Sequence, residues 1–237
     1  MGVLRTNASV RNLFLAQNVS VMGDYFTYVA LVGLIKEATD STFLVSLVYA
    51  AYVLPSFFFS PIAGPIVDKF DRRKIIIFVS ALQAMFGIGF LLSNADRIWL
   101  ALLTQLVISS LAVITLPAFG SALPNIVHND EELRQANTLF GSSWGASVFI
   151  GSALGGLFAA TFGRTATFVA DIATFAVCAG LVTLIKIPMQ ERKADAKREP
   201  VRPIADMREA FHYAKENNVI FALMASKTTQ AVGAGAV

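Results

Sequence analysis

The chain has 237 residues, of which 55% are hydrophobic and 15% are charged, with a mean hydropathy of +0.62 and a net charge of +3. Soluble domains contain about 45–50% apolar and about 25% charged residues, so this composition excludes an ordinary water-soluble globular domain. The single cysteine, Cys178, excludes an intrachain disulfide and a CxxC metal motif. No phosphate-binding loop, nucleic-acid-binding motif or catalytic triad is recognisable. We therefore predict no enzymatic activity, cofactor, bound metal or nucleic-acid partner.

Long apolar runs predict six membrane spans, because about 20 mostly apolar residues are needed to cross the hydrocarbon core. The spans cover residues 13–35, 43–67, 75–93, 98–124, 136–161 and 165–187. We predict an all-α polytopic membrane protein whose six-helix bundle occupies residues 1–187. The polar segment 188–217 is predicted to be a basic cytoplasmic linker. Residues 218–237 are predicted to begin a seventh span.

Basic residues are divided unequally between the two sides of these spans. Fifteen Lys and Arg residues lie on the side of the N-terminus, whereas the opposite loops carry three, Lys36, Arg97 and Arg164. Cytoplasmic loops are enriched in Lys and Arg. The distribution predicts a plasma-membrane protein with its N-terminus and linker in the cytoplasm.

The first span carries a polar stripe. Its members recur at helical spacing within an arc of about 100°: Gln17, Ser20, Asp24, Thr27 and Tyr28. Asp24 lies near the middle of the span, where a charged side chain costs about 2.5–3.5 kcal/mol, so it must face a cavity or a partner. Two interpretations remain open: a protonatable group that lines a transport pathway, or a neutral, hydrogen-bonded Asp that ties the helix to a neighbour.

The segment between the second and third spans carries six charges within residues 68–74, which predicts a short charged loop in water. Its pattern, G-x-x-x-D-K/R-x-x-R-R/K, resembles the loop between helices 2 and 3 of the major facilitator superfamily, a large group of secondary transporters. The matching positions are Gly64, Asp68, Lys69, Arg72 and Arg73. The Phe-Asp-Arg-Arg ending, which includes Asp71, is similar to the efflux branch with macrolide and enterobactin exporters.

This resemblance implies the N-terminal six-helix half of a twelve-helix fold, with the substrate site between the two halves. The remainder of the second half is then a missing partner of this chain. The resemblance also implies that the charged loop, Gly64 with residues 68–73, gates the cytoplasmic side. Asp68 would face the N-terminus of a helix of the second half and contact a neighbouring arginine, which would hold that side closed.

The fourth span contains Gln105 and Ser109 one turn apart. Gln105 either lines the pathway or makes an interhelical hydrogen bond. Many drug/proton antiporters carry an arginine in this span, but none lies between residues 98 and 133, which argues against the usual arginine-assisted proton relay. Asn129 and Glu132 resemble a capping box at the start of the next helix.

The fifth span has a glycine-rich face that predicts close helix packing. The glycines are Gly141, Gly145, Gly151, Gly155 and Gly156. Residues 151–156 resemble the second half of the glycine-rich motif of efflux transporters, with Ser152 in place of proline. Two interpretations of this face remain open: a tightly packed helix that moves during transport, and a static helix–helix contact. In the sixth span, Asp171 lies on a stripe with Thr167, Thr174 and Cys178, and a helix–helix role is expected for it.

The resulting functional prediction is proton-coupled efflux of drugs or other amphipathic small molecules by alternating access. The pathway residues are predicted to be Asp24, Gln17, Ser20, Tyr28 and Gln105. The expected partners are a small-molecule substrate, protons, the lipid bilayer and the second transporter half. The alternatives are an exporter of siderophores or lipids, and a membrane interaction module that does not transport.

Overall fold

The computed structural model describes residues 2–190 and Asn217. Contacts divide the chain into two units, Met1–Lys197 and Arg198–Val237, and the fold below is that of the first. Its helices are α1 (Gly2–Thr6), α2 (Ala8–Thr39), α3 (Thr42–Lys69), α4 (Arg72–Leu91), a 3-10 helix (Ala95–Arg97), α5 (Ile98–Ile126), α6 (Asp130–Phe162) and α7 (Arg164–Thr183). Most of the predicted linker and all of the predicted seventh span lie outside the described residues.

Helices α2 to α7 correspond to the six predicted spans, and each is long and apolar enough to cross a membrane. The prediction of an all-α protein with six spans is confirmed. Helices α2, α3, α5 and α6 extend beyond the apolar runs at one or both ends. Helix α2, with 32 residues, is about 48 Å long, whereas the hydrocarbon core is about 30 Å thick. It therefore continues into the polar region, whereas α4 and α7, with 20 residues each, are about 30 Å long.

Side-chain caps account for several of these helix ends. Asn7 accepts hydrogen bonds from the backbone N–H groups of Ser9 and Val10 at 3.0 and 3.1 Å. Asn129 accepts one from the N–H of Glu132 at 2.9 Å, as the sequence predicted. The Glu132 carboxylate reaches back to the N–H of His128 at 3.0 Å. The Asn7 and Asn129 caps satisfy backbone donors that the first helical turn leaves without partners.

The connection between α3 and α4 is much shorter than the charged loop that the sequence predicted. Helix α3 continues to Lys69 and α4 begins at Arg72, so only Phe70 and Asp71 separate them. The prediction was wrong in placing Gly64, Asp68 and Lys69 in a loop, because loss of apolar character marks the edge of the membrane and not the end of the helix. Asp71 ends the connection by accepting a hydrogen bond from the N–H of Lys74 at 3.2 Å.

Packing covers the six long helices unequally. Helix α2 packs against α6 and α7, α4 packs against α5 and α7, and α3 packs against α5. Among the 18 most apolar consecutive residues of each span, 11% are buried in α3 and 17% in α6, against 33–39% in the other four spans. Large apolar side chains accordingly remain exposed on these two helices, including Phe57 on α3 and Phe149 on α6. We call these two surfaces the uncovered faces of α3 and α6.

Two apolar clusters hold the described bundle together. One contains Leu13, Ile76 and Leu123, towards the side of the bundle that carries the N-terminus. The other contains Leu31, Phe90 and Phe175, towards the opposite side. The polar residues in the middle of α2 lie between the two clusters along the helix.

Candidate functional site

The polar stripe of α2 lies within the helical bundle. Gln17 and Thr27 are buried, with 8% and 2% of their surface exposed. Ser20, Asp24 and Tyr28 are partly buried. The stripe is therefore largely withdrawn from the outer surface while some of its polar atoms stay accessible.

Asp171 ties α7 to α2. The hydroxyl of Thr27 donates a hydrogen bond to Oδ2 of Asp171 at 2.5 Å, and the hydroxyl of Thr174 lies 3.3 Å from Oδ1. Gly23 makes this approach possible, because a Cβ at that position would lie 2.5 Å from Oδ1 of Asp171 and would also overlap Thr174. Asp171 thus has the helix–helix role that its sequence stripe indicated.

Asp24 differs from Asp171 in having no hydrogen bond or ion pair among the described residues. It interacts electrostatically with Asp171 across the α2–α7 contact and with Tyr52 of α3. The Lys and Arg residues of the described part of the chain all lie near the ends of the long helices, so none neutralises Asp24. The centre of the bundle therefore carries carboxyl groups without a basic partner.

Three tyrosines form a cluster beside Asp24. The ring centroids of Tyr25 and Tyr28 are 6.4 Å apart, those of Tyr25 and Tyr52 are 5.9 Å apart, and those of Tyr28 and Tyr52 are 6.0 Å apart. Tyr28 was predicted to be a pathway residue, whereas Tyr25 and Tyr52 were not. The spacing of the tyrosines could have indicated this cluster, since four of the five tyrosines in the sequence occur as i, i+3 pairs in the first two spans.

Gln105 is buried within α5. Its side-chain amide donates a hydrogen bond to the hydroxyl of Ser109 at 2.8 Å. The prediction of an interhelical bond was wrong, because the amide bonds to Ser109, one turn further along the same helix. The interhelical bond comes from Gln83 of α4, which donates to the carbonyl oxygen of Ile108 at 3.4 Å. A pathway role for Gln105 stays a prediction.

The glycine face of α6 meets α2 over only part of its length. A Cβ at Gly155 would lie 2.8 Å from Cα of Phe26, and one at Gly151 would lie 3.2 Å from Cα of Met22. At Gly156 the nearest atom, in Val29, would be 3.7 Å away. Gly141 and Gly145 are exposed and have nothing within 4 Å of such a Cβ. No described helix packs closely against these two glycines, and their role in helix packing stays a prediction.

The two arginines of the charged segment bind main-chain oxygens. Arg72 Nη1 donates to the carbonyl oxygens of Ser121, at 2.9 Å, and Met189, at 3.1 Å. Arg73 Nη2 donates to the carbonyl oxygen of Ile187 at 2.8 Å. Met189 and Ile187 belong to residues 184–190, which follow the end of α7 and which we call the strap. Helix α7 ends at Thr183, four residues before its predicted end.

Two further hydrogen bonds fasten the strap. The Asn125 side chain donates to the carbonyl oxygen of Met189 at 3.1 Å, and Gln190 donates to the carbonyl oxygen of Asp68 at 2.8 Å. The carboxylate of Asp68 lies 3.8 Å from Arg72 and its side chain is 77% exposed. The strap thus joins the ends of α3, α4 and α5, while the Asp68 carboxylate stays accessible.

A cavity of about 380 Å³ opens between α2, α4 and α7. Leu34, Phe90 and Phe168 line it beside the Glu37–Arg164 ion pair. Leu34 is ten residues from Asp24 along α2, or about 15 Å. The cavity is therefore separate from the polar stripe.

Six apolar helices around a polar, partly accessible stripe define a polytopic α-helical membrane protein. The family model of the Major Facilitator Superfamily matches residues 13–234, and the chain belongs to that superfamily. Its members are transporters, which are generally not enzymes.

Several known proteins are similar to the chain. It is 25% identical over 226 residues to the putative bacilysin exporter BacE of Bacillus amyloliquefaciens, covering 95% of this chain and 56% of the relative. It is 22% identical over 219 residues to macrolide efflux protein A of Streptococcus pyogenes, covering 90% and 52%. The chain spans about half the length of the curated relatives it matches.

A solved structure shares the fold. The chain superposes on the crystal structure of a peptide transporter, POT, with a TM-score of 0.68 and 12% sequence identity. The match covers 93% of this chain and 46% of the transporter chain. The described bundle accordingly has the fold of one half of a major facilitator transporter, as the sequence resemblance implied.

Proposed function

We propose that the chain is the N-terminal half of a secondary transporter that exports amphipathic small molecules in exchange for protons. The observation that carries this proposal is Asp24, a carboxyl group without a hydrogen-bonding or ionic partner among the described residues, on a polar stripe inside the bundle. Similarity to relatives named as exporters supports the direction of transport.

A second six-helix half would complete the substrate site. The uncovered faces of α3 and α6 support this proposal, because they expose large apolar side chains that another set of helices could cover. Residues 1–187 then form the first bundle and residues 188–217 the linker, while residues 218–237 begin the second half. The excess of basic residues on one side supports a cytoplasmic N-terminus in the plasma membrane.

Asp24 would carry the proton. A carboxyl group in the middle of a span is most easily retained when it is neutral or bound to a cation, so a proton bound from the outer side could be released inwards as substrate leaves. Asp171 is held by Thr27 and Thr174 and would keep α2 and α7 aligned while the two halves rock.

Efflux by the complete transporter tests this function. Cells that express it are loaded with a fluorescent amphipathic dye, and dye loss is followed with and without a protonophore. Asp24→Asn is expected to abolish protonophore-sensitive efflux at normal expression. Asp96→Asn is the matched control, since Asp96 is an exposed carboxyl in the 3-10 helix. Efflux by Asp24→Asn equal to that of the control would contradict the proposal.

Asp68 would act as the cytoplasmic latch to the second half. Its side chain is 77% exposed and lies only loosely against Arg72, so its carboxylate is available to the N-terminal end of another helix, where negative charge is favoured. We expect Asp68→Asn in the complete transporter to lower efflux while membrane insertion stays normal. Wild-type efflux at equal expression would contradict the latch.

A further inference from the structure

The cavity between α2, α4 and α7 lies at the end of the bundle opposite to the N-terminus. The last turns of α2 and α4 line it through Leu34 and Leu91, and the first turn of α7 lines it through Arg164. Its volume of about 380 Å³ falls within the range of small-molecule sites, about 300–1,000 Å³. No residue of α3 or α6 lines it, so a second half that packs on the uncovered faces of α3 and α6 is not what fills this cavity.

Helix lengths place the cavity at the level of the lipid headgroups. Helices α4 and α7 have 20 residues each, which is about 30 Å and equals the thickness of the hydrocarbon core. Their ends at the cavity therefore lie at the edge of that core. Trp99, which is exposed at the start of the neighbouring α5, supports this level, because tryptophan is enriched at membrane–water interfaces.

The cavity offers one acidic and one basic side chain. Glu37 and Arg164 form an ion pair, and their side chains are 71% and 32% exposed. A guanidinium group has five N–H donors, and within the described part of the chain only Nη2 of Arg164 is used, by Oε2 of Glu37. The remaining N–H groups are available to an anionic oxygen, and the other carboxylate oxygen is available to a donor of positive charge.

The surrounding charges favour a ligand that is neutral as a whole. The loops at this end of the bundle carry three basic and three acidic residues: Lys36, Arg97, Arg164, Glu37, Asp40 and Asp96. Because these charges balance, neither an anion nor a cation is attracted over the other. A zwitterion can satisfy both members of the ion pair at once.

Apolar side chains complete the cavity. The rings of Phe90 and Phe168 are stacked with their centroids 5.1 Å apart, and both residues line the cavity together with Leu34. Leu91, which also lines it, and its neighbour Leu92 are exposed. The ligand therefore needs an apolar part beside its charged groups, as a membrane lipid has.

We propose that this cavity binds the headgroup of phosphatidylethanolamine from the membrane leaflet opposite to the N-terminus. The phosphate accepts hydrogen bonds from Arg164, the primary ammonium group donates to Glu37, and the first methylene groups of the acyl chains lie against Leu91. Phosphatidylcholine has the same phosphate, but its quaternary ammonium group has no N–H to donate. Phosphatidylglycerol carries a net negative charge and would face Glu37. The inference goes beyond transport and does not depend on it.

A lipid titration of the purified chain in detergent micelles tests the site, with lipid binding followed by native mass spectrometry. The three lipids above are compared with identical acyl chains. We expect phosphatidylethanolamine to bind about two- to fivefold more tightly than either of the other two, the range that a partly exposed ion pair supplies. Glycerophosphoethanolamine, which has the same headgroup without acyl chains, should not displace the lipid at equal concentration.

Variants at the mouth of the cavity locate the binding. Arg164→Gln and Glu37→Gln should each remove the preference for phosphatidylethanolamine. Their matched controls are Arg97→Gln and Asp40→Asn, which change exposed charges at the same end of the bundle that do not line the cavity. Ala38→Trp adds a bulky side chain at an exposed lining residue and should weaken binding of the lipid without changing any charge.

Three results would overturn the inference. Equal affinity of the wild type for the three lipids would show that the headgroup is not recognised, and this comparison needs no variant to fold. An unchanged preference in both Arg164→Gln and Glu37→Gln, with thermal unfolding showing that they are folded, would place the lipid elsewhere. Displacement by an equal concentration of glycerophosphoethanolamine would assign the cavity to a soluble zwitterion instead of a lipid.

Discussion

Replacing Gly155 with alanine perturbs a close approach of α6 to the backbone of α2. The new Cβ would lie 2.8 Å from Cα of Phe26, a backbone atom that cannot rotate away. To restore an ordinary contact of 3.4 Å, the two helices must separate by at least about 0.6 Å. A gap of that size already forfeits about a quarter of the dispersion energy of the atoms across it. Overpacking of this kind costs about 1–3 kcal/mol.

The chain carries its own reporter of unfolding. Cys178 is the only cysteine and its side chain is fully buried, so a thiol-reactive fluorophore labels it when the bundle opens. For a chain of this size, 1 kcal/mol shifts Tm by about 2–4 °C. We expect Gly155→Ala in detergent micelles to lower Tm by about 2–12 °C.

Gly145→Ala is the matched control for this experiment. Gly145 lies on the same helix, but nothing is within 4 Å of a Cβ added there. Alanine should therefore only remove backbone freedom from the unfolded chain and stabilise the helix by about 0.5–1 kcal/mol. Equal Tm values for Gly155→Ala and Gly145→Ala would refute the idea that close packing of α2 on α6 limits stability.

Two further substitutions test the strap and the centre of the bundle. Arg72→Ala removes two charge-assisted hydrogen bonds and should accelerate amide hydrogen exchange in the strap about tenfold or more. Lys74→Ala, which changes an exposed neighbouring residue, should leave this exchange unchanged. Unchanged exchange in Arg72→Ala would show that the strap is held without Arg72. Thr27→Val removes the donor to buried Asp171 and should cost about 1–3 kcal/mol, seen as a lower Tm by Cys178 labelling. The control, Thr161→Val, changes an exposed hydroxyl and should have the Tm of the wild type. A wild-type Tm for Thr27→Val would exclude a stabilising role for the Thr27–Asp171 hydrogen bond.

Hydropathy was sufficient to predict the six helices. The apolar runs are long and polar residues separate them, so span number and order follow directly from the length that a bilayer requires. The helix ends were harder to predict, because the caps at Asn7 and Asp71 lie in polar sequence, which hydropathy alone does not distinguish from a loop. The α3–α4 connection consequently contains two residues where a longer loop was expected.

The hydrogen-bond partners of individual side chains could not be predicted from the sequence. Arg72 and Arg73 bind carbonyl oxygens of Ser121, Met189 and Ile187, and every residue has a carbonyl, so no pattern in the sequence marks these acceptors. The sequence placed Gln105 and Ser109 one turn apart but could not show whether the amide would bond within its own helix or to a neighbouring one. Glycine spacing likewise showed a smooth face on α6 but not how much of that face the neighbouring helix covers.

The bond between Thr27 and Asp171 joins residues that are 144 positions apart. At a synthesis rate of about 5–20 residues per second, Thr27 waits about 7–30 s before its acceptor leaves the ribosome. Asp24 enters the membrane in the same early span, so α2 must spend this interval without the helix that later packs beside it. The insertion machinery, or water held within it, would have to shelter that carboxyl group until α7 arrives. Early truncations that end before α7 should therefore remain associated with the insertion machinery instead of passing into free lipid.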